Sequence, residues 1–387
     1  MVCIVGWAHT KFGKLPDENI ESLLSDVTRR SIAHAQISAG DVDGCFVGTV
    51  NNGFSDQDFS AGLFSVADNW LRHTPAVRVE NACASGSAAI HAARNFIEAG
   101  RGRLAVVVGV EKMSATPMTD VSKILLGASY YKEEASEQGG FAGVFARIAK
   151  GYFQQFGDKS ASLARIAAKN HFNALSNPNA QIRKDLGFEF CNNVSDKNPY
   201  VADPLRRTDC SLISDGAAAI VLADNETALS MQRAIAFRAA AAVNDFLPLS
   251  RRDPTKFEGA ALAWMSALET AKLSIHDLSL VETHDCFTIA ELLEYEAMGL
   301  AKHGQGHRII DEGITQKDGA LPVNPSGGLK AKGHPLGATG VSMHVMGAMQ
   351  LMNEAEDMQI KNAKLAGIFN MGGAAVSNYV SILERIK

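Results

Sequence analysis

Four stretches of this chain hold residues whose types and spacing could do chemistry. The first is Val79-Glu80-Asn81-Ala82-Cys83-Ala84-Ser85-Gly86-Ser87-Ala88-Ala89. It reads as the end of a strand, a tight turn of small residues and a helix running to about Ala99. Cys83 falls at or just before the first helical turn, where free N–H groups and the helix dipole favour an anion. That setting lowers a thiol pKa and makes the thiolate a nucleophile. The alternative is a small buried cysteine packed beside a helix. The second stretch, Glu282-Thr283-His284-Asp285-Cys286-Phe287-Thr288, puts a histidine and a cysteine two apart just beyond a strand. A core cysteine beside a hydrogen-bonded histidine would look the same, and a metal centre needs ligands that the sequence does not offer at suitable spacing. The third, Asn324 to Gly340, is dense in glycine without a P-loop pattern. His334 stands there between Gly333 and Pro335, and an imidazole so held can take a proton from a thiol. The fourth, Asn370-Met371-Gly372-Gly373-Ala374, is a glycine turn that could aim N–H groups at a developing oxyanion, or merely turn the chain. His303 and His307 are four apart without an acidic or thiol partner close in sequence, and read as surface residues.

These stretches need a large scaffold. With 387 residues, 46% of them apolar, the chain can build two domains or one large fold of two halves. The net charge of −5, with no basic stripe or tail, argues against nucleic acid as a partner. No apolar run is long enough to span a bilayer. The N-terminus reads as a strand and lacks the basic n-region of a signal peptide. The six cysteines are scattered and form no CxxC pair, which fits a reducing cytoplasm.

The elements follow in order. Strands are expected at Val2–Ala8, Asp43–Val50, Val77–Glu80 and Leu104–Val110, the last as a parallel strand buried on both faces. A helix is expected from Ile20 to Ala39, stopping at Gly40. From Glu111 to about Thr208 the texture turns polar and irregular, with helices at Phe141–Phe156 and Ser162–Leu175. An insertion of this kind supplies a lid or a ligand-binding wall, or is a tolerated surface excursion. Core character returns at Ser214–Leu222. The second half then offers strands at Ala234–Val243, Leu278–Thr283, Leu365–Asn370 and Val376–Leu383. Its helices are Phe257–Ala271, Ile289–Met298 and a stretch from Gly340 to about Met352. The halves share a layout, which suggests a duplicated α/β unit with two sheets around a buried helix layer.

Over essentially its full length the chain resembles the thiolase superfamily. The resemblance rests on Asn81-Ala82-Cys83-Ala84-Ser85-Gly86, Ser214-Asp215-Gly216-Ala217-Ala218, Gly333-His334-Pro335-Leu336-Gly337-Ala338-Thr339-Gly340 and the closing glycine turn, in that order. His284-Asp285-Cys286-Phe287 is similar to the variant in sterol-carrier-protein-type and archaeal-type thiolases. The resemblance implies an α/β fold of five αβαβα layers from two similar halves, residues 1–232 and 233–387, with a loop domain inserted at about 112–208. It implies acyl transfer on coenzyme A thioesters, as in an acetyl-CoA acetyltransferase or 3-ketoacyl-CoA thiolase, in lipid metabolism. Cys83 would carry the acyl group and His334 would activate it. His284 would help polarise the incoming thioester, Cys286 would move the proton, and the N–H groups of Cys83 and Gly372 would form an oxyanion hole. Ser211 matches a position near pantetheine. The closing motif departs from the family pattern: it begins with Asn370 where related enzymes have the base cysteine, and Cys286 takes that place. No metal or cofactor is expected beyond acyl-CoA and coenzyme A as ligands. A homodimer or homotetramer is expected, and an OB-fold partner protein fits the archaeal type.

Two other readings keep the fold: a partner-dependent acyltransferase subunit or acyl-CoA-binding scaffold, and a decarboxylating ketoacyl synthase, which Cys286 disfavours. Coenzyme A phosphates need cationic contacts. Arg183, Lys184, Arg206 and Arg207 are the candidates, against the alternative of solvated surface charge.

Overall fold

The structure is a computed structural model and describes residues 1–387. Its strands are β1 (Val2–His9), β2 (Gly44–Gly48), β3 (Ala76–Val79), β4 (Leu104–Glu111), β5 (Tyr200–Ala202), β6 (Leu205–Arg206), β7 (Gly216–Asp224), β8 (Ile235–Asn244), β9 (Leu280–Glu282), β10 (Leu365–Gly372) and β11 (Ser377–Arg385). Nine of them form one sheet in the order β3-β2-β4-β7-β1-β8-β11-β10-β9, and β5 pairs with β6 in a separate ribbon. The two sheets expected from the repeated layout are therefore joined. The seam is the short antiparallel pairing of β1 with β8 at Cys3–Ala236 and Ile4–Ile235. β4 is buried throughout, as expected, but runs parallel only to β2 and antiparallel to β7. Continuous apolar runs such as β1 and β4 follow from burial on both faces. Val2, Ile4 and Trp7 feed one core, while Cys3, Val5 and Ala8 feed the other.

Helices cover and separate the sheet halves. Ile20–Ala35 packs on β1, β4 and β7, and Glu258–Ala271 on β8 and β11. Between the halves lie two core helices, Ser85–Glu98 and Leu336–Leu351, which touch each other and the sheet on both sides. The layers are thus helix, sheet, helix pair, sheet, helix. The core helices meet backbone to backbone. A Cβ on Gly86 would lie 2.6 Å from the Gly337 carbonyl oxygen and 2.9 Å from the Val341 nitrogen. Neither backbone can retreat from such a contact. Gly86→Ala is expected to destabilise the fold by about 1–3 kcal/mol, read as a lower denaturation midpoint with an unchanged slope.

Two boundaries differ from the sequence reading. The helix from Ile20 stops at Ala35, because Gln36 turns left-handed and its N–H caps Ala33 and Ile32. The last core helix starts at Leu336, so Gly337-Ala338-Thr339-Gly340 is its first turn rather than a loop. Glycine propensity alone argues against helix there; close packing overrides it. The Glu111 carboxylate accepts from the Gly337 N–H at 3.0 Å, an anion at the positive end of that helix.

The segment between β4 and β7 carries helices Met118–Leu126, Phe141–Phe156 and Ser160–Ala174. The last of these braces the loops of the other half. Asn170 donates to Asp285 at 2.7 Å, and Asn173 to the Asn324 carbonyl at 3.0 Å. The Gln181 and Ile182 N–H groups, just beyond it, bind the carbonyls of Lys332 and Ala331.

Candidate active site

Cys83 sits two residues ahead of the first core helix. Ala82, immediately before it, is held at φ +49°, with its N–H donating to Glu80 Oε1 at 2.6 Å. A left-handed alanine is uncommon, and such strain collects at functional sites. The turn drives the Cys83 side chain into a small apolar cluster with Phe54, Met113, Val121 and Leu336. The expectation of a depressed thiol pKa is overturned there. Burial pushes the thiol up to about 12, and the nearby Glu111 carboxylate adds to this. The N–H groups of Cys83 itself and of Gly373 pull the other way without prevailing. In the resting site the sulfur keeps its proton, so a base must take it during attack.

Two imidazoles reach that sulfur from the far half. One donor atom each from Cys83, His284 and His334 lies within 4.8 Å of the others, all three residues buried. The rings are 5.0 Å apart at a steep tilt of 84°. Their hydrogen bonds assign opposite tautomers. Thr339 Oγ1 gives its proton to the Pro335 carbonyl at 3.0 Å, so it accepts from His334 Nδ1 at 2.7 Å. His334 Nε2 is left as a lone pair. Asn370 Nδ2 lies 3.2 Å from the Cys83 carbonyl, which can only accept, and 2.8 Å from His284 Nδ1. The amide thus donates to both, and His284 carries its proton on Nε2, which has no protein partner. Burial holds both rings neutral, and Lys332 helps to bring His334 down to about 3. The site offers one ring as base and the other as donor. Cysteine and histidine are also zinc ligands, yet His284 turns a proton rather than a lone pair outward.

Asn370 is the residue whose part the sequence concealed: it registered only as a departure from the family pattern. The signal available was an amide at the end of a buried strand facing a histidine loop. Asn370→Leu removes the donor that fixes the His284 tautomer. We expect about a hundredfold loss in kcat with little change in KM, the size of losing one preorganised oxyanion donor, measured by steady-state kinetics.

Cys286 is also buried, and close enough to Cys83 for a charge there to push its thiol up, after burial itself. It lies outside the three-way cluster of Cys83 and the two histidines. Ser211 is half-buried, and its N–H donates to the Cys286 carbonyl at 2.8 Å. Asp285 braces the glycine loop by accepting from the N–H groups of Leu329 at 2.6 Å and Lys330 at 3.1 Å. Ser214 Oγ accepts from the His334 N–H at 2.9 Å. Gly372 ends β10, and Gly372 and Gly373 both border a cavity of about 820 Å³ that opens against Cys83.

Asp215, beside Ser214, is a structural post. It binds Lys112 Nζ at 2.7 Å, Ser114 Oγ at 2.5 Å and the N–H groups of Leu15, Met113 and Ser114. Burial alone would raise its pKa, but these donors hold it below the ordinary 3.8. A depressed carboxyl stabilises fully above its unfolded pKa and loses that contribution as pH falls through the folded value. Asp215→Asn is expected to flatten the acid side of the stability curve below about pH 4, measured by denaturant titration across pH.

Three expectations change. Arg206 is buried and held by Asp209 at 2.7 Å and by the Ser160 and Asn192 carbonyls, so it cannot meet a phosphate. Its partner lies three residues on, but sequence alone does not reveal the pairing. Arg183, Lys184 and Arg207 are exposed and border none of the cavity. His303 is exposed, as expected, but it does have an acidic partner close in sequence, Glu296 at 2.9 Å, and packs near Tyr152 and Phe156.

Comparison with known proteins decides the family. Residues 2–226 match the thiolase N-terminal domain, and residues 240–385 match the thiolase C-terminal domain-like family. The chain belongs to the thiolase family. It is a thiolase-type acyltransferase. It is 36% identical to an acetyl-CoA acetyltransferase of Methanothermobacter thermautotrophicus, over 99% of each chain. It is 33% identical to sterol carrier protein 2 of Homo sapiens, over 97% of this chain and 70% of that one. The thiolase fold itself is matched by the solved Ltp2-ChsH2(DUF35) aldolase, with a TM-score of 0.84 at 20% identity, over 99% of this chain and 97% of the other. No helix of this thiolase is long and apolar enough to cross a membrane.

Proposed function

We propose that the chain moves acetyl and larger acyl groups between Cys83 and coenzyme A, condensing or cleaving 3-ketoacyl-CoA. The observation that carries this is the meeting of the Cys83 sulfur with two neutral imidazoles of opposite tautomer. His334 Nε2 accepts the thiol proton as the sulfur attacks, a general-base step. The N–H groups of Cys83 and the Gly372-Gly373 turn receive the oxyanion, a large contribution when donors are preorganised. His284 Nε2–H steadies the enolate oxygen of the second thioester, and Cys286 takes its proton. Ser211 stands near the pantetheine arm. No cofactor besides the substrates takes part. Six free cysteines support a reducing compartment, the cytoplasm, for this reaction in lipid metabolism.

β3 ends the sheet with an unpaired edge, and exposed Phe59 and Trp70 lie in the segments before it. Such an edge invites a partner, which supports a homodimer. The second reading is a partner-dependent subunit, with an OB-fold protein supplying the phosphate contacts. The absence of the four basic candidates from the cavity border favours it. Purified protein given acetoacetyl-CoA and coenzyme A tests both. Acetyl-CoA formation supports the first reading. An acyl adduct on Cys83 without cleavage, rescued by a copurifying protein, supports the second. Neither adduct nor cleavage sinks both.

A further inference from the structure

Arg252 is a buried cation with no part in the reaction so far; its side chain is 4% exposed. Its Nη2 donates to the carbonyl of Ala374, the residue after Gly373. Nε and Nη1 are buried without a hydrogen-bond partner, and Asp245 stands 3.9 Å from Nη1. Burying a cation is costly unless it is paired and hydrogen-bonded, and a neutral donor would hold one carbonyl at smaller cost. What the charge adds is a stronger bond, and it adds it at one particular turn. That turn is fastened on its acceptor side. The Gly372 carbonyl accepts from the Val376 N–H at 3.0 Å, that of Val376 from the Asp245 N–H at 2.7 Å, and that of Ala375 from Asn378 Nδ2 at 3.1 Å. Gly373 and Ala375 are both left-handed, at φ +63° and +57°, and an alanine held so is strained. On the other side the Gly373 N–H reaches toward the Cys83 sulfur. The segment carrying Arg252 is itself tied to the insertion, through the Leu249 N–H to Glu134 at 3.2 Å and Ser250 Oγ to Glu133 at 2.7 Å.

We propose that Arg252 is a positioning residue for acyl transfer: it holds the Ala374 carbonyl so that the N–H groups of Gly372 and Gly373 meet the carbonyl oxygen of the Cys83 thioester. The inference rests on the reading of that turn as the oxyanion donor. Without the guanidinium the strained turn relaxes and its donors lose their aim. The reacting groups stay in place, because other bonds hold them: Asn370 to the Cys83 carbonyl and His284, and Thr339 to His334. Donors aimed at developing charge contribute most when they are fixed beforehand. Arg252 does not border the cavity, so its loss strikes turnover rather than substrate binding.

The test loads Cys83 from acetyl-CoA isotope-labelled at its carbonyl carbon and removes free coenzyme A. Infrared difference spectra then read the thioester C=O stretch, which falls as hydrogen bonds to its oxygen strengthen. In the parent the stretch is expected below that of acetyl-CoA in water. In Arg252→Met it is expected to move back up. Cleavage of acetoacetyl-CoA by that variant is expected to lose about a hundredfold in kcat, the size of losing one oxyanion donor, with KM within about twofold. Arg252→Lys keeps the charge on a single point donor. It is expected to lose about tenfold in kcat, with an intermediate stretch, and it carries the test if the methionine variant does not fold. A folded variant with the parental stretch and a kcat within about twofold of the parent overturns the proposal. So does a loss of kcat that leaves the stretch at the parental value, since packing alone would do that. A parental stretch no lower than that of acetyl-CoA overturns the oxyanion reading itself, which separates the two failures.

Discussion

Replacing Cys83 by alanine is expected to lower turnover of acetoacetyl-CoA by at least about 10⁴-fold, in line with loss of other covalent nucleophiles. The acyl adduct on the intact protein should vanish with it. The magnitude follows from position. No other cysteine shares the cluster with both histidines within 4.8 Å, so nothing can substitute for the lost sulfur. The substitution removes little volume and leaves the Asn370 bond to the residue-83 carbonyl in place, so the variant should fold. A variant that still forms an adduct and turns over within tenfold of the parent would remove the nucleophile from the account.

Cys286→Ala should divide the reaction in two. Condensation is expected to fall by about 10³-fold, the size of a lost proton-transfer group, while acyl loading at Cys83 persists. The physical basis is a division of labour between the two sulfurs. Cys83 is the one within 4.8 Å of both imidazoles, and Cys286 lies outside that cluster. Loading at Cys83 needs only an imidazole as its base, whereas condensation needs a second group to take the proton of the incoming thioester. Single-turnover loading measured beside steady-state condensation reads the split. Equal loss in both half-reactions would make Cys286 a packing residue.

The sequence made the reacting types legible because they sit in short stretches with a local logic. Cys83 precedes a helix, His334 stands between glycine and proline, and His284 and Cys286 follow a strand. Electrostatics was less accessible. The helix terminus suggested an acidic thiol, yet burial and Glu111 outweigh it, and neither can be counted along a chain. Gly337 and Gly340 read as loop because their propensity is local, while the close packing that requires them, against the ends of β2 and β4 for Gly337 and against Ser87 for Gly340, is not. Asn370 acquires meaning only beside His284, which lies far off in sequence and 2.8 Å away in space.

The seam between the halves has a consequence for how this chain reaches its native state. Val2 faces Asp224 and Ile4 faces Ile235, so this strand waits for β7 and β8, far later in the chain, before it finds its neighbours. Closing such long loops precedes any gain from the contacts they allow, which makes folding slow. Until then the Val2–His9 segment is an exposed apolar strand and a hazard for aggregation. Overproduction is expected to reward slow synthesis and low temperature, and a truncated N-terminal half is expected to collect in the insoluble fraction.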